Sequence, residues 1–209
     1  VQRGKSLLCT AESNTAVDNL LEKVTEYEGF KVVRLGHPAR TKDFLREYGI
    51  FELLAKHPSY ASIKRKVEAL ESLRIERDAF EKPTLGNRHG MSDKEILQKA
   101  SAQKGARGIK TKNMASMARW IAKNQDINSG FEAVKQQEKL LIQKIIEEAD
   151  IVFCTNSTAG SEWLEKSYFD LTVVDEGSQQ IEPSTLIPLL KGRRFVVAGD
   201  HQQLPPTVI

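Results

Sequence analysis

Two stretches near the carboxyl-terminal end constrain this chain more than any others: Leu171-Thr-Val-Val-Asp-Glu-Gly-Ser-Gln179 and Phe195-Val-Val-Ala-Gly-Asp-His-Gln-Gln-Leu-Pro-Pro206. Each is a short apolar β run that ends in an acid. Runs of this kind read as buried central strands of an α/β sheet, and they deliver their terminal carboxylates to its carboxyl edge, where ligands bind. Asp175 and Glu176 are adjacent and differ in reach. One stands at the strand tip, suited to hold Mg²⁺ through water, and the other turns toward a water attacking a nucleotide γ-phosphate. An apolar strand ending in Asp-Glu also occurs in α/β domains with no such chemistry, so the pair alone leaves a structural reading open. The second strand narrows the choice. Gly199-Asp200, with Gln203 three positions on, brings another acid and an amide to the same edge, and Leu204-Pro205-Pro206 stiffens the exit.

The segments Val174-Asp175-Glu176-Gly177-Ser178-Gln179 and Gly199–Pro206 resemble motifs II and III of superfamily 1 helicases. The nearest type is the branch holding the nonsense-mediated-decay helicase and the immunoglobulin mu-binding protein 2 helicase. Leu8–Leu20 resembles motif Ia, and Val33-Arg-Leu-Gly-His-Pro-Ala-Arg40 resembles a run typical of that branch. The four matches stand in the family's order, and the resemblance thins out between about Tyr48 and Glu148. It implies an α/β fold, part of a RecA-like P-loop NTPase parallel sheet with a helical insertion. Residues 1–59 would be the first part of that domain, 60–148 a basic helical insertion, and 149–209 the second part. The cofactors implied are ATP and Mg²⁺, and the partner is single-stranded DNA or RNA, travelled 5′ to 3′. Asp175 would hold the metal, Glu176 would polarise the attacking water, and Gln203 with Asp200 would sense the γ-phosphate and couple its loss to movement. Gly177 departs from the branch, which more often has Ala or Cys there, and is expected to fill the same small slot.

At 209 residues the chain is long enough to bury a proper core as one domain with an inserted subdomain. Its 40% apolar and 28% charged residues are ordinary for a soluble protein, and no apolar run approaches a membrane span. No membrane partner is expected, nor a signal peptide. A cytoplasmic monomer is expected, nuclear location being open in a eukaryote. Polar first residues lead straight into a strand, so the chain is expected to begin inside a larger protein. Cys9 and Cys154 both sit in strand-like runs and read as buried, reduced thiols.

Gly4-Lys5-Ser6 imitates the end of a phosphate-binding loop, but such a loop opens a helix, whereas Ser6-Leu-Leu-Cys-Thr-Ala11 reads as a strand. The genuine loop is expected upstream of Val1, and the piece alone is expected to be inactive without it and without a second RecA-like domain. Ser13 or Asn14 can cap a helix carrying Val17, Leu20, Leu21 and Val24. Thr10, Ser13, Asn14 and Thr15 then gather where strand meets helix, a place suited to phosphate, with plain capping as the alternative. Phe30–Leu35 makes the next strand, and His37 before Pro38 reads as structural.

From about Tyr60 helical spacing takes over: Ile63, Val67, Leu70 and Leu73, then Ile96, Leu97 and Ala100, then Phe131, Val134, Leu141 and Ile145. Residues 61–148 carry 18 Lys or Arg against 12 Asp or Glu, a net of +6 that leaves the remainder at −3. Lys94, Lys99, Lys104, Arg107, Lys110, Lys112, Arg119 and Lys123 face a single acid, Glu95, with Gly105 and Gly108 loosening the backbone. Such a stripe suits nucleic-acid phosphates, or is simply a solvated face. Ala149–Thr155 returns to sheet, and Thr155, Asn156 and Ser157 again put polar groups at a strand end; the resemblance implies that they touch nucleic acid. Trp163, Tyr168 and Phe169 read as core. The main alternative to a motor is a nucleic-acid-binding module whose ATPase has decayed; a motor fused to a nuclease is the third.

Overall fold

Five strands of apolar and β-branched residues pair into one parallel sheet: β1 (Leu7–Ala11), β2 (Val32–Arg34), β3 (Ile151–Thr155), β4 (Leu171–Val174) and β5 (Phe195–Val197), in the order β2-β3-β1-β4-β5. The computed structural model describes residues 5–202. Ala11 pairs with Thr155, Thr10 with Val174, and Val174 with Val197, so β3, β1, β4 and β5 end level along one edge. That edge collects every polar strand end picked out in the sequence.

Alternation divides the sheet's side chains between two cores. Leu8, Val33, Val152 and Cys154 enter one, with Ile50 from α2 (Ile50–Lys56), Leu164 and Phe169; Cys9, Val32, Ile151 and Phe153 enter the other, against Val17 and Leu21 of α1 (Asn14–Thr25). Burying both faces is why β3 reads as an unbroken apolar run. β5 departs from the expectation of a central strand. Among the described residues it is the edge of the sheet, with Phe195, Val196 and Val197 all exposed. Trp163 packs edge-on to Phe51 at 5.9 Å and Phe169 is buried, but Tyr168 is 71% exposed and is not core.

The chain divides into two compact units, the sheet unit up to Pro58 and from Leu140 onward, and a helical unit over Ser59–Lys139. The helical unit closes at Lys139, short of 148, because Ile142, Ile145 and Ile146 near the end of α5 (Thr111–Glu147) pack into the sheet unit's core. Within it, α3 (Tyr60–Asp78) runs antiparallel to α5, as the pairs Lys66 with Gln137 (2.9 Å) and Arg77 with Asn124 (2.8 Å) require. Gly130 permits the approach, since a Cβ there would collide with Leu70. α4 (Asp93–Ser101) starts with a reciprocal capping box between Ser92 and Glu95. Gly105 and Gly108 do not loosen the chain. They build a tight turn closed by the Ala106–Ile109 bridge, with Gly108 at φ +80°. Among the described residues no helix is long and apolar enough to cross a membrane.

Candidate nucleotide and nucleic-acid site

Asp175 follows directly on β4, and its peptide groups are pinned on both sides. Its N–H donates to the Thr10 carbonyl at 2.8 Å and its carbonyl accepts from Gln180 Nε2 at 2.6 Å. Its half-buried carboxylate, by contrast, has no hydrogen bond or ion pair among the described residues. Among those residues no group of three or more His, Cys, Asp or Glu is placed to enclose a metal. A lone, fixed carboxylate at a strand tip suits Mg²⁺, which keeps most of its water and takes its other ligands from phosphate. The charge is felt locally: burial first, and Asp175 second, push the Cys9 thiol up to about 12.

Glu176 adopts the left-handed conformation, φ 57° and ψ 33°, which costs a non-glycine residue about 1–2 kcal/mol. Strain of this kind gathers at functional sites, where the surroundings enforce it. Here they do so through the neighbouring strand end. Gly177 N–H donates to the Ala198 carbonyl at 2.7 Å, and Ser178 Oγ donates to the Asp200 carbonyl at 2.9 Å. The two loops touch so closely that a Cβ on Gly177 would collide with Val197 Cγ1, and one on Gly199 would lie 2.6 Å from the Ser178 nitrogen. The Gly177 slot is therefore narrower than expected, too narrow for a methyl unless Val197 moves. Asp175, Glu176 and Asp200 are brought to one edge; Gln203 lies outside the described residues.

The predicted nucleic-acid contacts divide by exposure. Thr10 is fully buried with its hydroxyl toward the Val173 carbonyl, and Asn156 is fully buried as well, so neither side chain can reach a ligand from solvent. Thr155 caps the short helix α6 (Asn156–Ala159), accepting from Thr158 N–H at 3.3 Å. Ser13 caps α1 through Ala16 N–H at 3.1 Å, and Asn14 Oδ1 accepts from the Arg34 guanidinium at 2.9 Å. Ser13, Thr15 and Ser157 remain exposed at the ends of the adjacent strands β1 and β3. In the helical unit Lys104, Lys110 and Lys112 are exposed and carry no ion pair among the described residues. Arg107 instead donates to the His89 carbonyl at 3.1 Å and lies 3.7 Å from Glu95; Arg119 stacks on Phe80, and Lys123 pairs with Glu76. Lys5 pairs with Asp170 at 3.3 Å just ahead of β1, which is a strand rather than the helix a phosphate-binding loop opens.

Sequence reasoning missed the buried pair Arg34 and Asp18, 3.0 Å apart with side chains 1% and 3% exposed. The available signal was an arginine inside Val32-Val33-Arg34-Leu35 and an acid on the apolar face of α1. It also missed Gln180, which bonds the Asp175 carbonyl and Asn156.

A parallel sheet whose carboxyl edge carries an Asp-Glu pair with Glu176 in the left-handed conformation, locked to the Gly-Asp end of the next strand, is consistent with an α/β domain of the RecA-like P-loop class. A family model described as an AAA domain matches residues 1–209, and the chain belongs to that family, within the superfamily 1 helicases of the nonsense-mediated-decay and immunoglobulin mu-binding protein 2 type. It is 43% identical over 97% of its length to an uncharacterised ATP-dependent helicase of Methanocaldococcus jannaschii, of which it covers 31%. It is 32% identical over its whole length to the mouse DNA-binding protein SMUBP-2, covering 18% of that protein. It is 30% identical, also over its whole length, to the DNA polymerase alpha-associated DNA helicase A of Schizosaccharomyces pombe, covering 26%. The chain thus spans less than a third of each of these relatives.

Proposed function

We propose that the protein containing this chain is an ATP-dependent helicase or translocase that moves on single-stranded DNA or RNA, 5′ to 3′, as a cytoplasmic monomer. The observation that carries the reading is the Asp175 carboxylate, without a hydrogen bond or ion pair among the described residues, beside Glu176, whose strained turn is held by the strand end bearing Asp200. Mg²⁺ bound with ATP would supply charge that neutralises the phosphates. Asp175 would hold that ion through water, its own backbone immobilised by Thr10 and Gln180. Glu176 would orient and polarise the attacking water, and Ser13, Thr15 and Ser157, with the amides of the α1 start, would grip the strand's phosphates. Lys104, Lys110 and Lys112 would add non-specific attraction. Gln203 would act as the γ-phosphate sensor. The names of the M. jannaschii and S. pombe relatives support the motor over a decayed binding module, as does the intact acid pair.

The test is ATP hydrolysis by the full-length protein, with and without single-stranded DNA or RNA, beside Glu176→Gln. Strand-stimulated turnover that falls at least about 100-fold in the variant is the expected result. A folded full-length protein without hydrolysis would favour the decayed module. The 209-residue chain by itself is expected to turn over no ATP.

A further inference from the structure

We propose that Gln180 is a positioning residue that links the acid pair to the strand-gripping turns through Asn156; the proposal rests on the motor reading above. Gln180 is buried, and its amide is engaged at both ends. Nε2 donates to the Asp175 carbonyl at 2.6 Å, while Oε1 accepts from Asn156 Nδ2 at 2.7 Å and from Thr185 Oγ1 at 3.1 Å. Asn156 Nδ2 also lies 3.2 Å from Glu12 Oε2, which accepts from Ser184 Oγ at 2.5 Å. The network therefore starts at the residue that would hold the metal and ends on the residues that begin the β1 and β3 turns.

The donor pattern leaves no choice of direction. A backbone carbonyl can only accept, so the Asp175 end must receive the Gln180 NH₂ group, and Oε1 is left to face Asn156. Asn156 must answer with its own NH₂, because flipping it would set Oδ1 against the oxygens of Gln180 and Glu12. This orientation leaves an orphan: Asn156 Oδ1 is buried and has no partner among the described residues. A buried acceptor left unsatisfied is disfavoured. It is tolerated here because the same side chain completes a chain of amides that joins β4 to β3 across β1. A shift of the Asp175 peptide when a metal nucleotide binds or leaves would thus pull on Gln180, and through it on the backbone of Thr155-Asn156-Ser157 and of Glu12-Ser13.

The experiment uses the full-length protein and a fluorescent oligothymidylate. Its Kd is measured with no nucleotide and with a non-hydrolysable ATP analogue, for the wild type, Gln180→Ala, Gln180→Glu, Asn156→Ala and the Gln180→Ala/Asn156→Ala double variant. Gln180→Glu keeps the volume and the Asn156 end but places an oxygen against the Asp175 carbonyl. Wild type is expected to change Kd at least about fivefold between the two states, the low end of ordinary coupling. Each single variant should bring that ratio below about twofold, and the double variant should lose no more than either single. A merely structural role would weaken binding equally in both states, so variants that keep the wild-type ratio overturn the proposal, as does a double variant whose losses multiply. If wild type shows strand-stimulated hydrolysis but no nucleotide-dependent Kd, the relay falls and the motor stands. If it neither binds nor hydrolyses, the motor reading fails and takes the relay with it.

Discussion

Replacing Arg34 by Met should destabilise the sheet unit severely, for reasons visible at three atoms. Nε donates to Asp18 Oδ1 at 3.0 Å, Nη2 to Asn14 Oδ1 at 2.9 Å, and Nη1 to the Leu35 carbonyl. Methionine keeps most of the apolar stem, so little packing is sacrificed, but Asp18 remains buried with, among the described residues, only the Lys42 N–H at 2.9 Å to stabilise its charge. Leaving one member of a buried ion pair unmatched costs about 3–5 kcal/mol, a large part of the roughly 5–15 kcal/mol that holds a domain together. Arg46, also in the sheet unit, offers the control. It pairs with Asp43 at 2.8 Å, but its side chain is about half exposed and that of Asp43 mostly so, and Arg46→Met should cost less than about 1 kcal/mol. Urea titration read by Trp163, with Trp120 changed to Phe in every sample, follows the sheet unit, where Trp163 packs on Phe51. Adding Asp18→Leu to Arg34→Met should recover a substantial part of the loss, because the orphan charge goes with it. A cost below about 1 kcal/mol for Arg34→Met would refute the reasoning, since the pair would then not be ordering the start of α1.

Gly177→Ala should lower stability by about 1–3 kcal/mol, because its methyl must displace Val197; Val197→Ala in the same chain should restore much of it, and an unshifted urea midpoint for Gly177→Ala alone would contradict the crowding. Burial raises the thiols of Cys9 and Cys154 from 9.0 to about 12, so iodoacetamide at about pH 8 should leave both unlabelled until the chain unfolds. As pH climbs from 9.0 toward about 12 the unfolded chain releases these protons before the folded one does, and stability should fall across that window; a flat urea midpoint there would count against it. Reversing the charges of Lys104, Lys110 and Lys112 in the full-length protein should weaken single-strand binding and lower its salt slope by about 0.7 for each phosphate left unneutralised. Unchanged affinity and slope would assign that surface to solvent.

Much of the sheet was legible because a strand buried on both faces must be apolar throughout, and such runs are rare enough to find by eye. Leu8–Ala11 and Ile151–Thr155 are buried on both faces and Leu171–Val174 is buried on one and half-buried on the other, each with a single threonine among apolar residues, and the polar groups following each share an edge once the strands pair in parallel. What stayed hidden depends on partners distant in sequence. The left-handed turn at Glu176 is enforced by a hydrogen bond to Ala198, and no local propensity marks a glutamate for it. Thr10 and Asn156 looked like ligands for phosphate because polarity at a strand end is visible in sequence, whereas the direction of the side chain is not. Arg34 and Gln180 were missed for the opposite reason. Each is a polar residue with a partner 16 or more positions away, so burial could not be inferred from its neighbours.

If the motor reading proposed above holds, the order of the strands leaves the acid pair and the proposed strand-gripping turns with no long mechanical path between them. β1 lies between β3 and β4, so neighbouring strand ends are separated by only about 5 Å, the spacing of any sheet. Asp175 hydrogen-bonds the backbone of Thr10, three residues before Ser13, and through Gln180 it reaches Asn156, the residue before Ser157. On the relay proposed above, displacement at one strand end would be handed directly to the next, and the core beneath, with Val152, Phe153 and Cys154 almost wholly buried, would keep it from dissipating into the sheet. On that proposal the sheet edge sets how the grip on a strand changes with nucleotide.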